Sequence, residues 1–232
     1  MQPTPRLKER RFPLHFHISV LFSLLLLSSG AVLGVFNYQQ TSNIILSSSD
    51  QLFSQMRKEV QADLRNTYQP IQFMINLLAR NEQVNGRDRH ERMIMLPIFA
   101  QALRDNPKLA SIYVGYGDGA YFMVRPLRSE QLRKIFYAPT NAAYQVWSID
   151  RISEQRLESE YLFFDAQLQP ISRRQNLKET FDPRSRPWYQ GAMQSQGHFS
   201  TAPYAFFSTG EIGTTIARKS SETTVVAADL TL

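Results

Sequence analysis

Ala110–Arg125 reads ASIYVGYGDGAYFMVR. Two runs with alternating large apolar side chains, Ala110–Tyr116 and Ala120–Arg125, flank Gly117-Asp118-Gly119. Strand-forming residues on both sides of a Gly-Asp-Gly turn predict a β-hairpin. Reading outward towards the C-terminus, a second pair of strands is predicted at Ala143–Ile152 and Arg156–Phe164, with Asp165–Pro170 as a turn. A third hairpin joins Tyr204–Phe207 to Ile212–Lys219 through Ser208-Thr209-Gly210, and a last strand, Thr223–Leu230, follows. Consecutive hairpins build an antiparallel sheet, and helices gathered ahead of it give an α+β fold.

Reading outward towards the N-terminus, Glu91–Asp105 is predicted as a helix carrying Met93, Leu96, Ile98, Phe99 and Leu103, ended by Asn106-Pro107. Asn81–Arg89 is a polar loop. Thr41–Arg80 has apolar residues at helical spacing, namely Leu52, Met56, Val60, Leu64, Ile71, Ile75 and Leu78. Pro70 is expected to kink this long helix, because proline lacks a backbone donor and clashes with the preceding turn. Two shorter helices meeting near Pro70 are the other reading.

No charged residue stands between Arg11 and Asp50, and Phe16–Phe36 (FHISVLFSLLLLSSGAVLGVF) is apolar all round. A bilayer core needs about 20 helical residues, so residues 16–36 are expected to span a membrane. A cleaved signal peptide would have a shorter apolar core and a small-residue cleavage site, which is not evident here. Arg6, Lys8, Arg10 and Arg11 precede the span. Positive residues stay on the cytoplasmic side, which puts residues 1–15 in the cytoplasm and residues 39–232 outside it, in the periplasm of a bacterial inner membrane.

The chain has 232 residues, a formal net charge of +6 and no cysteine, which excludes disulfides, thiolate metal sites and a cysteine nucleophile. Its four histidines, His15, His17, His90 and His198, show no metal-ligand spacing. Beyond the N-terminal cluster the basic residues are scattered, so no nucleic acid is expected as a partner. No G-x-S-x-G elbow or other nucleophile–base pattern is present, and the chain is read as non-enzymatic, with no cofactor and no metal.

Phe181–Ala192 reads FDPRSRPWYQGA. Each residue before Pro183 and Pro187 is pushed to an extended conformation, and Pro187 is pre-set for the first turn of a helix. A tight loop feeding a short helix is therefore predicted, with Arg184 and Arg186 near its start. This segment resembles the Asp-Pro-Arg-x-Arg-Pro-Trp-Tyr signature of double-Cache sensor domains, the PAS-like extracytoplasmic modules of bacterial transmembrane receptors. The order of elements from Phe16 to Leu232 agrees with it. The resemblance implies a PAS-like sheet module reached through a membrane helix and a long helix. It also implies that the chain is the membrane-distal module, C-terminally incomplete.

In members of that family that bind amino acids, an Arg and a Trp of the signature and a later Tyr hold the ligand carboxylate. The matching positions are Arg186, Trp188 and Tyr204. Arginine offers a carboxylate a two-pronged donor, and indole and phenol add one hydrogen bond each. Two roles stay open for Arg186 and Trp188: binding ligand, or holding the fold with Arg186 paired to a carboxylate and Trp188 in the core. The family's acceptors for the ammonium are a Tyr, an Asp and an Asp in the final strand. Here the positions hold Phe181, Phe206 (followed by Phe207) and Asp229. One carboxylate and two phenyl rings under-serve a buried ammonium. The expected ligand is a small carboxylate, with an apolar or aromatic body, rather than a standard α-amino acid. Tyr113, Tyr121 and Tyr144 are read as sheet-face packing.

The sequence thus favours the sensory input region of a membrane receptor, with a small-molecule ligand, a membrane and a homodimer partner. A protein-binding or dimerisation module is the competing reading.

Overall fold

A computed structural model describes residues 13–153, 156–177, 179–206 and 208–231, with backbone alone for 42–50. Arg6, Lys8, Arg10, Arg11 and Phe207 lie outside the described residues. The contacts divide the chain into two units, Met1–Leu64 and Arg65–Leu232.

In the first unit the chain is helical from Leu14, the start of α1 (Leu14–Ala79). Its stretch Leu14–Thr41 is long and apolar enough to cross a membrane, and its side chains are exposed. Further on, Leu52, Phe53, Met56, Val60 and Leu64 are exposed as well.

The second unit begins within α1, which continues through Pro70 without interruption. The two-helix reading is thereby set aside. Proline costs a single ladder bond and a local clash. Ile71, Ile75 and Leu78, buried just after it, hold the helix against the core. The predicted helix Glu91–Asp105 is instead two helices, α2 (Arg89–Met93) and α3 (Leu96–Asp105), separated at Ile94-Met95. Pro97 explains the break, since it cannot donate to the turn before it. A 3-10 turn, Glu82–Asn85, lies in the segment read as a polar loop, and α4 (Glu130–Ile135) lies in a stretch to which the sequence reading assigned no element. Ser129 caps α4 by accepting from the backbone N–H of Leu132 at 3.1 Å.

Nine antiparallel strands form one sheet among the described residues: β1 (Leu109–Tyr116), β2 (Tyr121–Pro126), β3 (Tyr144–Ser153), β4 (Arg156–Phe164), β5 (Pro170–Gln175), β6 (His198–Ser200), β7 (Tyr204–Ala205), β8 (Ile212–Lys219) and β9 (Thr224–Thr231). Their order is β5-β4-β3-β2-β1-β9-β8-β6, with β7 also on β8. The three hairpins and the last strand stand where the alternation put them, although the third hairpin's first strand is only two residues long. Strands β5 and β6 were missed. Strand β5 (PISRRQ) is polar and mostly exposed, as befits an edge, and offers no alternating apolar signal.

Alternation gives the sheet two faces. On one, Ile112, Val114, Tyr116, Phe122, Val124, Tyr144 and Val146 pack with Ile75 of α1 and Phe99 of α3 into the main core. The other carries Tyr113, Tyr121 and Met123 and is covered by α5 (Pro187–Gln194).

A buried charge network ties α2 to the sheet. Arg92 is 2% exposed. It donates through Nη1 to Asp150 at 2.8 Å, through Nε to the Gly86 carbonyl and through Nη2 to the Arg87 carbonyl at 2.9 Å each, and its guanidinium lies 4.0 Å over the Tyr116 ring. Arg89 bridges Asp150 at 2.9 Å and Glu160 at 2.6 Å. Replacing Asp150 by Ala strands the Arg92 charge in the core, where breaking such a pair costs about 3–5 kcal/mol. Urea unfolding of Asp150→Ala in detergent should show a loss of that order; a loss under about 1 kcal/mol, the size of an exposed pair, would contradict this account of the network.

Candidate functional site

The signature segment is built by short-range rules. Asp182 accepts from the Arg184 backbone N–H at 2.9 Å and starts a 3-10 turn, Pro183–Ser185. The Arg184 guanidinium folds back onto the same carboxylate at 2.7–3.2 Å. That pairing holds the Asp182 carboxyl below its ordinary range. Arg186 is extended, and Pro187 opens α5 as predicted.

Packing then fixes the segment on the sheet. Gly115 of β1 lies under it: a Cβ there would come within 2.7 Å of Trp188 Cη2 and 2.9 Å of Pro183 Cβ. The Tyr189 hydroxyl donates to the Thr223 carbonyl at 2.7 Å, fastening α5 to the approach to β9.

Between this segment and the sheet is a cleft of about 720 Å³, and its lining includes all six predicted residues: Phe181, Arg186, Trp188, Tyr204, Phe206 and Asp229. A volume of that size suits a small ligand. Phe181 wedges between Tyr121 (ring centroids 4.7 Å) and Trp147 (5.0 Å), and Trp188 stands edge-on to Tyr113 at 4.9 Å. Tyr113 and Tyr121 were read as sheet packing; they are buried, and they also line the cleft. Alternation identifies their face but does not reveal that part of it is left open. Tyr144, in contrast, is in the main core.

The two signature arginines differ. Arg184 is taken up by Asp182. Arg186 makes no ion pair among the described residues, its Nε has no hydrogen-bond partner, and its guanidinium lies 4.6 Å over the Phe181 ring. The structural role foreseen for Arg186, pairing with a carboxylate, is not what it does here. Trp188 is buried, so it packs and lines the cleft at once.

Asp229 closes one side. Its Oδ1 accepts from Tyr113 at 2.6 Å and Thr215 at 2.6 Å, and its Oδ2 from Ser111 at 3.0 Å. Tyr204, 38% exposed, shares Thr215 Oγ1 at 2.7 Å. Burial and the Asp229 charge push the Tyr204 phenol up to about 12, so it stays a neutral donor. Burial also raises Asp229, against the hydroxyls that favour its charged form.

Glu179, Trp147, Tyr161 and Arg125 are among the lining residues missed by the sequence reading. Glu179 accepts from Ser159 and Asn176 at 2.9 Å each, and from the backbone N–H of Thr180 and Phe181 at 3.0 and 2.8 Å. It is an acid beside the cleft, although its oxygens are already engaged. Trp147, Tyr161 and Arg125 also line the space. Their only signal was their position on the face shared by Tyr113 and Tyr121.

No family model matches the chain. It is 33% identical over 137 residues to adenylate cyclase 1 of Rhizobium meliloti (strain 1021), a match covering 58% of this chain and 21% of the relative. It is 43% identical over 61 residues to the methyl-accepting chemotaxis protein McpB of Bacillus subtilis (strain 168), covering 25% of this chain and 9% of the relative. The chain thus spans about a fifth or less of these curated relatives. Among solved structures it is similar to the ligand-binding domain of the Campylobacter jejuni chemoreceptor Tlp3 in complex with 4-methylisoleucine, with a TM-score of 0.45 and 14% identity, covering 75% of this chain and 55% of that one.

The raised pKa of Asp229 has a definite sign. The folded state holds the proton more firmly than the unfolded state, so this residue's contribution to stability falls as pH rises through its folded pKa. Across a melting series upward from about pH 4, near the free carboxylate value, wild type should lose ground steadily to Asp229→Asn. A constant difference between the two proteins across the series would contradict the assignment.

Proposed function

We propose that this chain is the ligand-sensing input region of a bacterial membrane signal-transduction receptor, and that its cleft holds a small carboxylate outside the cytoplasm. The observation that carries the reading is Arg186: a cleft-lining guanidinium with no carboxylate partner among the described residues, beside a second signature arginine that has one. A guanidinium in that position offers two parallel donors to an incoming carboxylate. Trp188 and Tyr204 complete the anchor. Phe181 and Phe206 supply apolar wall where an ammonium would need acceptors, and the oxygens of Asp229 are engaged by three hydroxyls. These features favour an anionic ligand with an apolar or aromatic body over an α-amino acid.

Placement in the inner membrane, with residues 1–15 in the cytoplasm and residues 39–232 as the periplasmic sensor, is supported by the apolar stretch Leu14–Thr41 and the basic residues before it in sequence. Helix α1 contains that stretch and, at its other end, the buried Ile71, Ile75 and Leu78. A ligand with different affinity for two settings of those last turns would bias the helix between them. The exposed Leu52, Met56, Val60 and Leu64 would face a second copy in a homodimer. The relatives bear different names, a cyclase and a chemotaxis protein, which supports assigning the matched stretches to input rather than output. Binding rather than catalysis is the role proposed for this chain.

Melting of the full chain in detergent tests the reading. Carboxylates at 100 times their Kd should stabilise it by about 2.7 kcal/mol, and Arg186→Ala should lose the shift at the same concentrations. If α-amino acids alone stabilise the protein, or if Arg186→Ala responds like wild type, the carboxylate reading is wrong.

A further inference from the structure

Arg125 lies on β2 on the same face as Tyr121 and Met123, and it lines the cleft while only 6% exposed. A guanidinium carries five N–H donors and cannot shed its charge at ordinary pH. Here Nη2 meets the Met123 thioether at 2.8 Å, a weak acceptor, and the group lies 4.1 Å over the Phe136 ring. Among the described residues its Nε and Nη1 have no partner. It makes no ion pair among the described residues, whereas the equally buried Arg92 has Asp150 and two carbonyls. The cross-strand neighbour Gln145 does not serve as its acceptor, because both atoms of its amide are unpaired too. Asp229 lines the same cleft with its oxygens already engaged. The Asp229 carboxylate acts on this charge only across a distance, without an ion pair, and buried charges normally have a directly paired counter-ion.

Both arginines line one aromatic cleft, and both of their charges act on the Tyr121 phenol. Arg186 packs over Phe181, and Phe181 packs on Tyr121. Arg125 is four residues further along β2, about 13 Å in an extended strand. Arg125, Phe206, Ser208 and Asp229 also border a second cavity of about 300 Å³, so this end of the cleft has room beyond the guanidinium.

We propose that Arg125 is a second anion-binding group, and that the ligand is a dicarboxylate with an apolar or aromatic body spanning Arg186 and Arg125. This rests on the reading that Arg186 holds a carboxylate, and it adds the second charge. The ligand-free cleft keeps a cation in need of a partner, and a diacid supplies that partner where a monoacid cannot.

The test uses matched probes on the full chain in detergent: hexanoate against adipate, and phenylacetate against 1,4-phenylenediacetate, by calorimetric titration. In wild type at least one diacid should bind at least about tenfold more tightly than its monoacid, the scale of a charge-assisted contact. Arg125→Met should bring the diacid to the monoacid's affinity and leave the monoacid unchanged, while Arg186→Ala weakens both. Arg125→Met should also raise the melting temperature of the ligand-free protein, since an apolar side chain of similar length replaces an unpaired charge. Equal affinities within both pairs in wild type, or a gap preserved in Arg125→Met, overturn the second anchor, and the first anchor survives if Arg186→Ala still loses binding. A lower melting temperature for Arg125→Met shows that the guanidinium has a structural partner and overturns the proposal by itself. No binding of any of the four acids by wild type overturns both anchors together.

Discussion

A missing β-carbon at Gly115 sets how closely the signature segment lies on the sheet. With hydrogen at that position, Trp188 and Pro183 settle where any larger side chain would collide with them. Trp188 then reaches Tyr113, Tyr189 reaches the Thr223 carbonyl, and the chain entering the segment carries Phe181 into the gap between Tyr121 and Trp147. The cleft is the space left over once those contacts are made. Its depth is set by packing, and its chemistry is set by which polar groups the packing leaves without partners.

Charge is handled in opposite ways on the two sides of the sheet. On the side of α2, Arg92, Arg89, Asp150 and Glu160 satisfy one another, and the network joins helix to strand. On the cleft side, Asp182 takes Arg184, and the acids Asp229 and Glu179 are engaged by hydroxyl, amide and backbone donors, leaving Arg186 and Arg125 incompletely paired. Unsatisfied buried donors are uncommon in folded proteins and call for an explanation. A ligand that brings acceptors accounts for both arginines at once, and it does so at the place where aromatic side chains leave an opening.

Much of this fold was legible in the sequence because its central strands alternate strongly. The hairpin β1–β2, the pair β3–β4 and the strands β8 and β9 announce themselves through period-two patterns and glycine turns. Strands β5 and β6 do not, since edge strands bury little and need no apolar alternation. The break before α3 was overlooked although Pro97 marked it. At the site, the signature and the later Tyr, Phe and Asp named six residues that the fold does gather. Arg125, Trp147 and Tyr161 were hidden for a common reason. Periodicity tells which face a side chain occupies, but whether that face is filled or open depends on long-range packing around residues 181–192.

The chain has two tryptophans, Trp147 and Trp188, and both line the cleft. Their fluorescence therefore reports on that space and on little else. Titrating a carboxylate that stabilises the protein should change the tryptophan emission in a saturable way, with a midpoint equal to the calorimetric Kd. Stabilisation accompanied by an unchanged emission spectrum would place the ligand elsewhere on the molecule and contradict the account.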